Sequence, residues 1–166
     1  MQTLWSPWRM RYMMENNKTD TCIFCEALRQ EDGPENLVVW RGEHAFVILN
    51  RYPYATGHVM VVPNQHVDTL EKLDAPTRAE LMELLAEMMI LLREEYRPEA
   101  FNLGANIGAA AGAGIAEHMH LHVVPRWQGD TNFMTAIGET RVIPEDLSDT
   151  YRRIRARVTA RLRREG

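Results

Sequence analysis

The most regular pattern in this sequence is His118-Met119-His120-Leu121-His122-Val123-Val124. Histidine and apolar residues alternate along it, and side chains of a β-strand alternate between its two faces. The pattern predicts a strand over 118–124 with the imidazoles on one face and the apolar side chains towards a core. The chain has 6 histidines in all, and half of them lie in this window, so a plain polar strand face explains the cluster poorly. We expect one imidazole to do chemistry while its neighbours orient it or bind metal or phosphate.

Length and composition are typical of one globular domain over residues 1–166. The chain is 45% hydrophobic and 25% charged, and its length allows a sizeable core. The net charge of −4 and a pI near 5.9 give no basic field that would attract nucleic acid. No segment is long and apolar enough for a membrane span, and the N-terminus has no signal-peptide core. We therefore expect a cytoplasmic protein without membrane or nucleic-acid partners, whose two cysteines do not form a structural disulfide.

Five strands and two principal helices are predicted, which gives an α+β fold around an antiparallel sheet. Short connections favour antiparallel pairing, and the other strands are expected at 36–40, 45–49, 58–63 and 100–103. A long helix should begin at Asp74, an N-cap with Pro76 in the first turn, and end before Pro98. A terminal helix is expected over 147–162. Shorter elements are expected as helices at 26–31 and 66–72 and a strand at 140–143.

Arginines crowd the end of the chain, with seven between Arg152 and Arg164. Aromatic residues are not interleaved with them, as they are in many nucleic-acid-binding surfaces. We interpret them as the charged outer face of the terminal helix.

The segment 104–114, Gly-Ala-Asn-Ile-Gly-Ala-Ala-Ala-Gly-Ala-Gly, contains almost no bulky side chain. Small residues let backbone amides approach an anion closely. The segment matches neither a Walker loop nor a dinucleotide fingerprint, because no lysine follows it and it leads into the histidine strand. A plain hairpin loop is the alternative, but the position before the histidines favours a phosphate cradle.

Cys22-Ile23-Phe24-Cys25 places two thiols where one metal ion can bind both. A thioredoxin-like redox pair shares this spacing, but no βαβ pattern surrounds it here. Zinc would need two more nitrogen or sulfur ligands, which downstream histidines can supply. A reduced pair without metal is the remaining interpretation.

Taken together, these landmarks resemble the histidine-triad family of nucleotide-binding proteins, which act on the α-phosphate of nucleotides. The motif His-x-His-x-His-x-x with apolar x stands at 118–124. The aromatic and arginine-rich opening from Leu4 to Tyr12 and the continuation 127–133 resemble the branch related to diadenosine tetraphosphate phosphorylases and dinucleoside polyphosphate hydrolases. The opening segment packs on the surface in one interpretation; in another it reaches a partner subunit or shapes a base pocket. The resemblance implies a homodimer that binds adenine nucleotides or dinucleoside polyphosphates and needs no organic cofactor.

The resemblance also implies a structural zinc ion. Many members bind it with a Cys-x-x-Cys pair, a histidine after the third strand and the first histidine of the triad. Those positions here are Cys22, Cys25, His66 and His118.

By the same resemblance, catalysis falls to His120, His122 and His58. His120 would attack the α-phosphorus and form a nucleotidyl-histidine, His122 would stabilise the phosphate oxygens, and His58 would support the triad from the neighbouring strand. Glu117 is a candidate proton carrier to the leaving group. Nucleotide contacts are expected from Asn50, Asn106, Gly112, Ala113, Gly114 and His122. The chain has Gly114-Ile115 where many relatives have Gln-Ser, so contacts there would come from the backbone.

The predicted activity is cleavage of dinucleoside polyphosphates such as diadenosine tetraphosphate. Phosphate would resolve the intermediate in a phosphorylase and water in a hydrolase; we favour phosphate, with Arg126 as a candidate donor to the second anion. The alternatives are a nucleoside phosphoramidate hydrolase and a nucleotide-binding module with little turnover. A purely metal-binding protein would leave the phosphate-like loop unexplained.

Overall fold

The computed structural model describes residues 21–130 and 145–165, and its centre is a five-stranded sheet. The strand order is β1-β2-β3-β5-β4, and every neighbouring pair is antiparallel. The strands are β1 (Val38–Arg41), β2 (Ala45–Leu49), β3 (Val59–Pro63), β4 (Ala100–Gly104) and β5 (Leu121–Arg126). This confirms the predicted α+β fold. The predicted surface packing of the opening segment and the strand at 140–143 lie outside the described residues.

The predicted strand over 118–124 is wrong at its beginning, because the hydrogen-bonded strand starts at Leu121. The ladder between β3 and β5 runs from Val59↔Val123 to Val61↔Leu121. Beyond that point β3 ends at Pro63, which has no N–H to donate to a partner strand. The Met119 N–H instead donates to Val67 O at 2.7 Å. His118 and His120 therefore lie in an extended segment that leads into β5.

The three helices are α1 (Ile23–Arg29), α2 (Ala75–Tyr96) and α3 (Leu147–Glu165) in the described residues. The Asp74 side chain accepts from the Thr77 N–H at 2.9 Å, which confirms the predicted N-cap of α2. After Tyr96 the chain leaves the helix through Arg97 in the left-handed region, with φ of 49°, before Pro98. Helix α1 begins three residues earlier than predicted, so both cysteines lie at its N-terminal turn.

The predicted helix over 66–72 is also wrong. Only a 3₁₀ turn forms, over Leu70–Lys72. The bond from Met119 N–H uses the carbonyl of Val67, which fastens this segment to the approach to β5. His66 consequently lies in an extended connection beside the cysteines rather than on a helix.

Helices α2 and α3 cover one face of the sheet. Helix α2 packs against β2, β3 and β5, while α3 packs against β1 and α2. The arginines of α3 are less solvated than predicted, because several pair with α2: Arg161 binds Glu87 through two bonds of 2.9 and 3.0 Å, and Arg157 binds Glu95 at 2.5 Å.

On the other face of the sheet, Ile48, Met60 and His122 follow one another across three strands in register. None of the described helices is long and apolar enough to cross a membrane.

Candidate active site

A cleft of about 320 Å³ opens over the sheet face that carries the row of Ile48, Met60 and His122. It joins β2, β3, α1, the glycine-rich loop and the histidine segment. Six of the residues predicted to act on a nucleotide line it, namely Asn50, Asn106, Gly112, Gly114, His120 and His122. Residues as far apart in the sequence as positions 50 and 122 thus meet at one concave surface, and its size suits a small ligand.

His120 is a buried imidazole whose protonation pattern is determined by the backbone. Its Nδ1 lies 2.9 Å from the carbonyl oxygen of His118, and a carbonyl can only accept a hydrogen bond. Nδ1 therefore carries the proton, and Nε2 keeps a lone pair. Burial lowers the pKa of His120, which keeps the ring neutral near pH 7. This is the state that a nucleophilic imidazole requires.

His122 has the opposite pattern, determined by His58. The backbone N–H of Tyr54 donates to His58 Nδ1 at 3.0 Å, so a neutral His58 carries its proton on Nε2. That Nε2 lies 2.9 Å from His122 Nδ1, which must then accept. The remaining proton of His122 is on Nε2, so this ring is a donor. Burial, with a smaller contribution from His120, lowers the pKa of His122 to about 4.

Sequence reasoning missed two aromatic side chains that hold these rings. Tyr54 packs on His58 with ring centroids 4.6 Å apart and stacks on His122 at 5.9 Å. Phe24 is fully buried and contacts the rings of both His118 and His120. The position of Phe24 inside Cys-x-x-Cys was a usable signal, because metal binding would fix its neighbours. Tyr54 had no comparable signal in a connecting segment.

The glycine-rich loop differs from the predicted cradle in its backbone bonds. The amides of Gly112 and Ala113 donate within the loop, to Ala109 O at 2.9 Å and Gly108 O at 3.3 Å. Ala113 is also absent from the cleft lining, whereas Gly114 belongs to it. Any amide contact to a phosphate in this arrangement therefore has to come from elsewhere in the loop, and Gly114 is the best-placed candidate.

Asn50 and Asn106 present side-chain amides to the cleft. Asn50 Oδ1 accepts from the Tyr52 N–H at 2.9 Å, which fixes the orientation of the carboxamide. Within residues 21–130 and 145–165 no group accepts from Asn50 Nδ2, so the donor end remains for a ligand. Asn106 Nδ2 contacts Gly112 O at 3.5 Å and ties the two sides of the loop together.

The four predicted metal ligands converge beside the cleft. Potential ligand atoms of Cys22, Cys25, His66 and His118 all lie within 4.8 Å of one another. Cys22 Sγ is 3.3 Å and Cys25 Sγ 3.7 Å from His118 Nδ1, and Cys25 Sγ is 3.3 Å from His66 Nδ1. Ligands around a tetrahedral zinc ion are roughly 3.5 to 3.8 Å apart, so the spacing fits such an ion.

The orientation of His118 agrees with a ligand role. Its Nε2 lies 2.9 Å from Pro63 O and so carries the proton, which leaves the Nδ1 lone pair directed at the sulfurs. Burial lowers the pKa of His118 and favours the neutral ring that binds metal. Burial raises the pKa of the Cys22 thiol, an effect that a bound cation would oppose.

Two further predictions are not supported by the geometry. Arg126, the candidate donor to a second anion, makes two bonds to the Asp130 carboxylate of 2.6 and 2.7 Å and a third to Asn102 Oδ1. Glu117, the candidate proton carrier, is exposed and is not part of the cleft lining. Both side chains lack the position that their proposed roles need.

Comparison with known proteins gives consistent results. The HIT domain family matches residues 33–129. A protein of Mycobacterium tuberculosis named AP-4-A phosphorylase is 43% identical over 159 residues, which cover 92% of this chain and 82% of that protein. A zinc-bound histidine triad family protein from Mycobacterium smegmatis superposes with a TM-score of 0.68 at 28% identity, covering 88% of this chain and 98% of that one. A hypothetical histidine triad nucleotide-binding protein from Sulfolobus tokodaii gives 0.67 at 27% identity, over 84% and 93% of the two chains.

The histidine segment, the cleft that it enters and the match over most of the chain lead to one conclusion: this protein belongs to the HIT domain family.

Proposed function

We propose that the protein cleaves diadenosine tetraphosphate at an α-phosphate through a nucleotidyl-histidine, which inorganic phosphate then resolves. The observation that carries the proposal is the pair of complementary imidazoles in one cleft. His120 keeps a lone pair on Nε2, while His122 keeps a proton on Nε2. A nucleophile and a hydrogen-bond donor are what displacement at phosphorus requires.

In the first step, His120 Nε2 forms a bond to the α-phosphorus. The bond between that phosphorus and the oxygen bridging to the β-phosphate breaks, and ATP leaves with the electron pair. The ring becomes cationic, and its Nδ1–H donates to the His118 carbonyl, which stabilises that charge. The His122 Nε2–H would donate to an α-phosphate oxygen, and His58 keeps it in the tautomer that can do so.

In the second step, an oxygen of inorganic phosphate attacks the same phosphorus. The phosphorus–nitrogen bond breaks, its electron pair returns to His120 Nε2, and ADP is released. The likeness to the mycobacterial relative named AP-4-A phosphorylase supports phosphate as the acceptor. With Arg126 bound to Asp130, the second anion would be held by Asn50 Nδ2 and the loop near Gly114.

We further propose that Cys22, Cys25, His66 and His118 bind zinc. The fit of the donor set and the zinc-bound relative from Mycobacterium smegmatis support this assignment. Zinc would fasten α1 to the connection after β3 and to the histidine segment. Its role would be structural, because four protein ligands fill a tetrahedral site and leave no open position for substrate.

A homodimer is part of the proposal. Strand β4 lies at the edge of the sheet, and its Leu103 is 47% exposed. On α2, Met82 and Ile90 are exposed as well. Sedimentation equilibrium should give twice the chain mass, and Leu103→Lys should lower it; a monomeric wild-type protein would contradict the proposal. The cytoplasmic location stays a prediction, as does the single domain over 1–166.

The test is a product assay with diadenosine tetraphosphate at zero and millimolar phosphate. Phosphorolysis gives ADP plus ATP, whereas hydrolysis gives AMP plus ATP. We expect ADP to replace AMP as phosphate is added. AMP as the sole partner of ATP at saturating phosphate would identify a hydrolase of the same substrate. Turnover of an adenosine phosphoramidate without cleavage of the dinucleotide would favour the phosphoramidate hydrolase instead.

A further inference from the structure

The first turn of α1 belongs to both the metal-ligand set and the nucleotide cleft. Cys22 and Cys25 are ligands in the set, and the two residues between them, Ile23 and Phe24, line the cleft. A metal ion that fixes both sulfurs also fixes the backbone between them. The positions of Ile23 and Phe24 in the cleft wall are therefore linked to the metal.

Phe24 lies between the metal ligand and the nucleophile. Its ring is fully buried, with its centroid 5.3 Å from that of His118 in an edge arrangement and 5.0 Å from that of His120. Aromatic rings at these separations interact favourably beyond the burial of their surface. A displacement of Phe24 would remove the packing that holds the His120 ring against the cleft.

Ile23 supplies the surface that a base would cover. It is 40% exposed although it is a large apolar residue, and it lines the cleft. Covering this surface with the flat face of a nucleobase would remove apolar area from water. Nucleotide binding thus favours the same position of the α1 turn that metal binding favours.

The two ends of α1 are fastened differently. At the C-terminal end Arg41 donates to the carbonyls of Leu28 at 3.0 Å, Ala27 at 3.2 Å and Gln30 at 2.9 Å. At the N-terminal end the cap residue Cys22 makes no side-chain capping bond. Sulfur–metal bonds would fasten this end of the helix in addition to the packing of the buried Phe24 side chain.

We propose that metal occupancy and nucleotide binding are energetically coupled through this turn, with Phe24 as the positioning residue and Ile23 as the contact to the base. The proposal rests on the nucleotide site of the proposed function. Coupling between two sites is reciprocal, so the nucleotide must raise zinc affinity by the factor by which zinc raises nucleotide affinity.

The test measures zinc affinity by competition with a chromophoric chelator, with and without saturating AMP. AMP binding itself is measured by calorimetry on the zinc-loaded protein. In the wild type we expect AMP to tighten zinc binding at least about fivefold, the lower end of typical coupling between sites. Phe24→Leu keeps all four ligands and an apolar side chain, and should reduce this factor to near one. Phe101→Leu, at a half-buried phenylalanine of β4 that packs under Arg93 of α2 and does not line the cleft, should retain it.

The outcomes separate the coupling from the function that it builds on. AMP binding with unchanged zinc affinity in the wild type would overturn the coupling and leave the nucleotide site intact. Failure of AMP to bind the zinc-loaded wild type would overturn the nucleotide site and the coupling with it. If both phenylalanine variants lose equally the factor by which AMP tightens zinc binding, the role of Phe24 is overturned. If Phe24→Leu does not fold, Ile23→Ala changes only cleft surface; it should weaken AMP binding and reduce the factor, and an unchanged factor there would overturn the proposal.

Discussion

At the scale of single residues, the site depends on which nitrogen of each imidazole carries the proton. His120 and His122 are neighbours with ring centroids 5.0 Å apart, yet their hydrogen-bond partners give them opposite roles. A backbone carbonyl makes His120 a lone-pair donor, and His58 makes His122 a proton donor. The chemistry therefore depends on His58, which need not touch the substrate.

His58→Phe should lower kcat while leaving the KM for diadenosine tetraphosphate nearly unchanged. Phenylalanine can still pack against Tyr54, but it cannot hold His122 in the donor tautomer. Directly acting acid–base groups contribute about 100- to 10,000-fold, so we expect a loss of roughly 10- to 100-fold for a residue one step removed. Steady-state kinetics on the folded variant checks this. A large increase in KM at constant kcat would indicate that His58 serves binding instead.

The depressed pKa of His122 predicts that stability falls on acidification. The ordinary histidine pKa is 6.5 and the folded value is about 4, so between these pH values the unfolded chain binds the extra proton. The contribution of His122 to the free energy of unfolding is therefore fully present above about pH 6.5. It is lost as the pH falls towards 4, and it changes no further below that pH. The loss is at most about 3 to 4 kcal/mol, from roughly 1.4 kcal/mol per pH unit over the shift.

Urea unfolding from pH 4 to pH 7 measures this slope, and variants isolate the contribution of His122. His122→Gln should show a smaller slope than the wild type, while Ala86→Gln, at an exposed position of α2, should keep the wild-type slope because it changes no titrating group. The proposed metal set is unchanged in both. Equal slopes in all three proteins would contradict the assignment.

The sequence predicted which histidines meet, but it could not predict their protonation. Alternation along 118–124 was enough to place His120 and His122 together. The tautomers depend on the carbonyl of His118 and the amide of Tyr54, which are backbone groups and leave no mark in residue type. For Arg126 the residue type was misleading. An arginine in this place suggested anion binding, but its guanidinium group is bonded to the carboxylate of Asp130.

At the scale of elements, two non-strand segments place the functional groups against the sheet. The extended segment before β5 carries His118 and His120, and the turn at the start of α1 carries both cysteines. Each is fixed by contacts distant in sequence, such as Met119 N–H to Val67 O. This explains why periodicity failed there: the pattern predicted a strand up to His118, while Pro63 ends the partner strand.

Gly114→Val should weaken AMP binding more than it weakens the fold. Gly114 is an exposed part of the cleft wall, and its φ is not among the positive values found at Gly108 and Gly112. A branched side chain at Gly114 would therefore occupy cleft space without straining the backbone, unlike one at Gly112. Ala110→Val is the matched control, since it adds branching at an exposed position of the same loop outside the cleft. Calorimetric titration giving the same AMP affinity for both variants would remove the loop from the binding site.

Cys25→Ser should lower zinc content and the melting temperature together. Zinc analysis of the wild type should give about one ion per chain, and the binding energy of such structural sites contributes to folding. Arg29→Gln, on the exposed last turn of the same helix, should change neither quantity. A wild type that is fully stable without metal would refute the structural role of zinc.

At the scale of the whole molecule, one face of the sheet forms the core and the other carries the functional site. Helices α2 and α3 cover one face and make the core, and charge pairs such as Arg161 with Glu87 fasten them to each other. The opposite face carries the cleft, with the histidines at its floor and the metal-ligand set beside it. Hydrophobic periodicity predicted most of the strands and both long helices, but the strand order, in which β5 lies between β3 and β4, was not predicted because it depends on contacts distant in sequence.

Nucleophilic catalysis by His120 requires that a nucleotidyl group form on this side chain during turnover. The protein is mixed with diadenosine tetraphosphate without phosphate, quenched within one turnover, and analysed by intact-protein and peptide mass spectrometry. We predict an adenylyl adduct on the peptide that contains His120, which disappears with release of ADP when phosphate is added. His120→Asn should fold and bind AMP but form no adduct. Absence of the adduct in the wild type, together with turnover in His120→Asn, would contradict nucleophilic catalysis by His120.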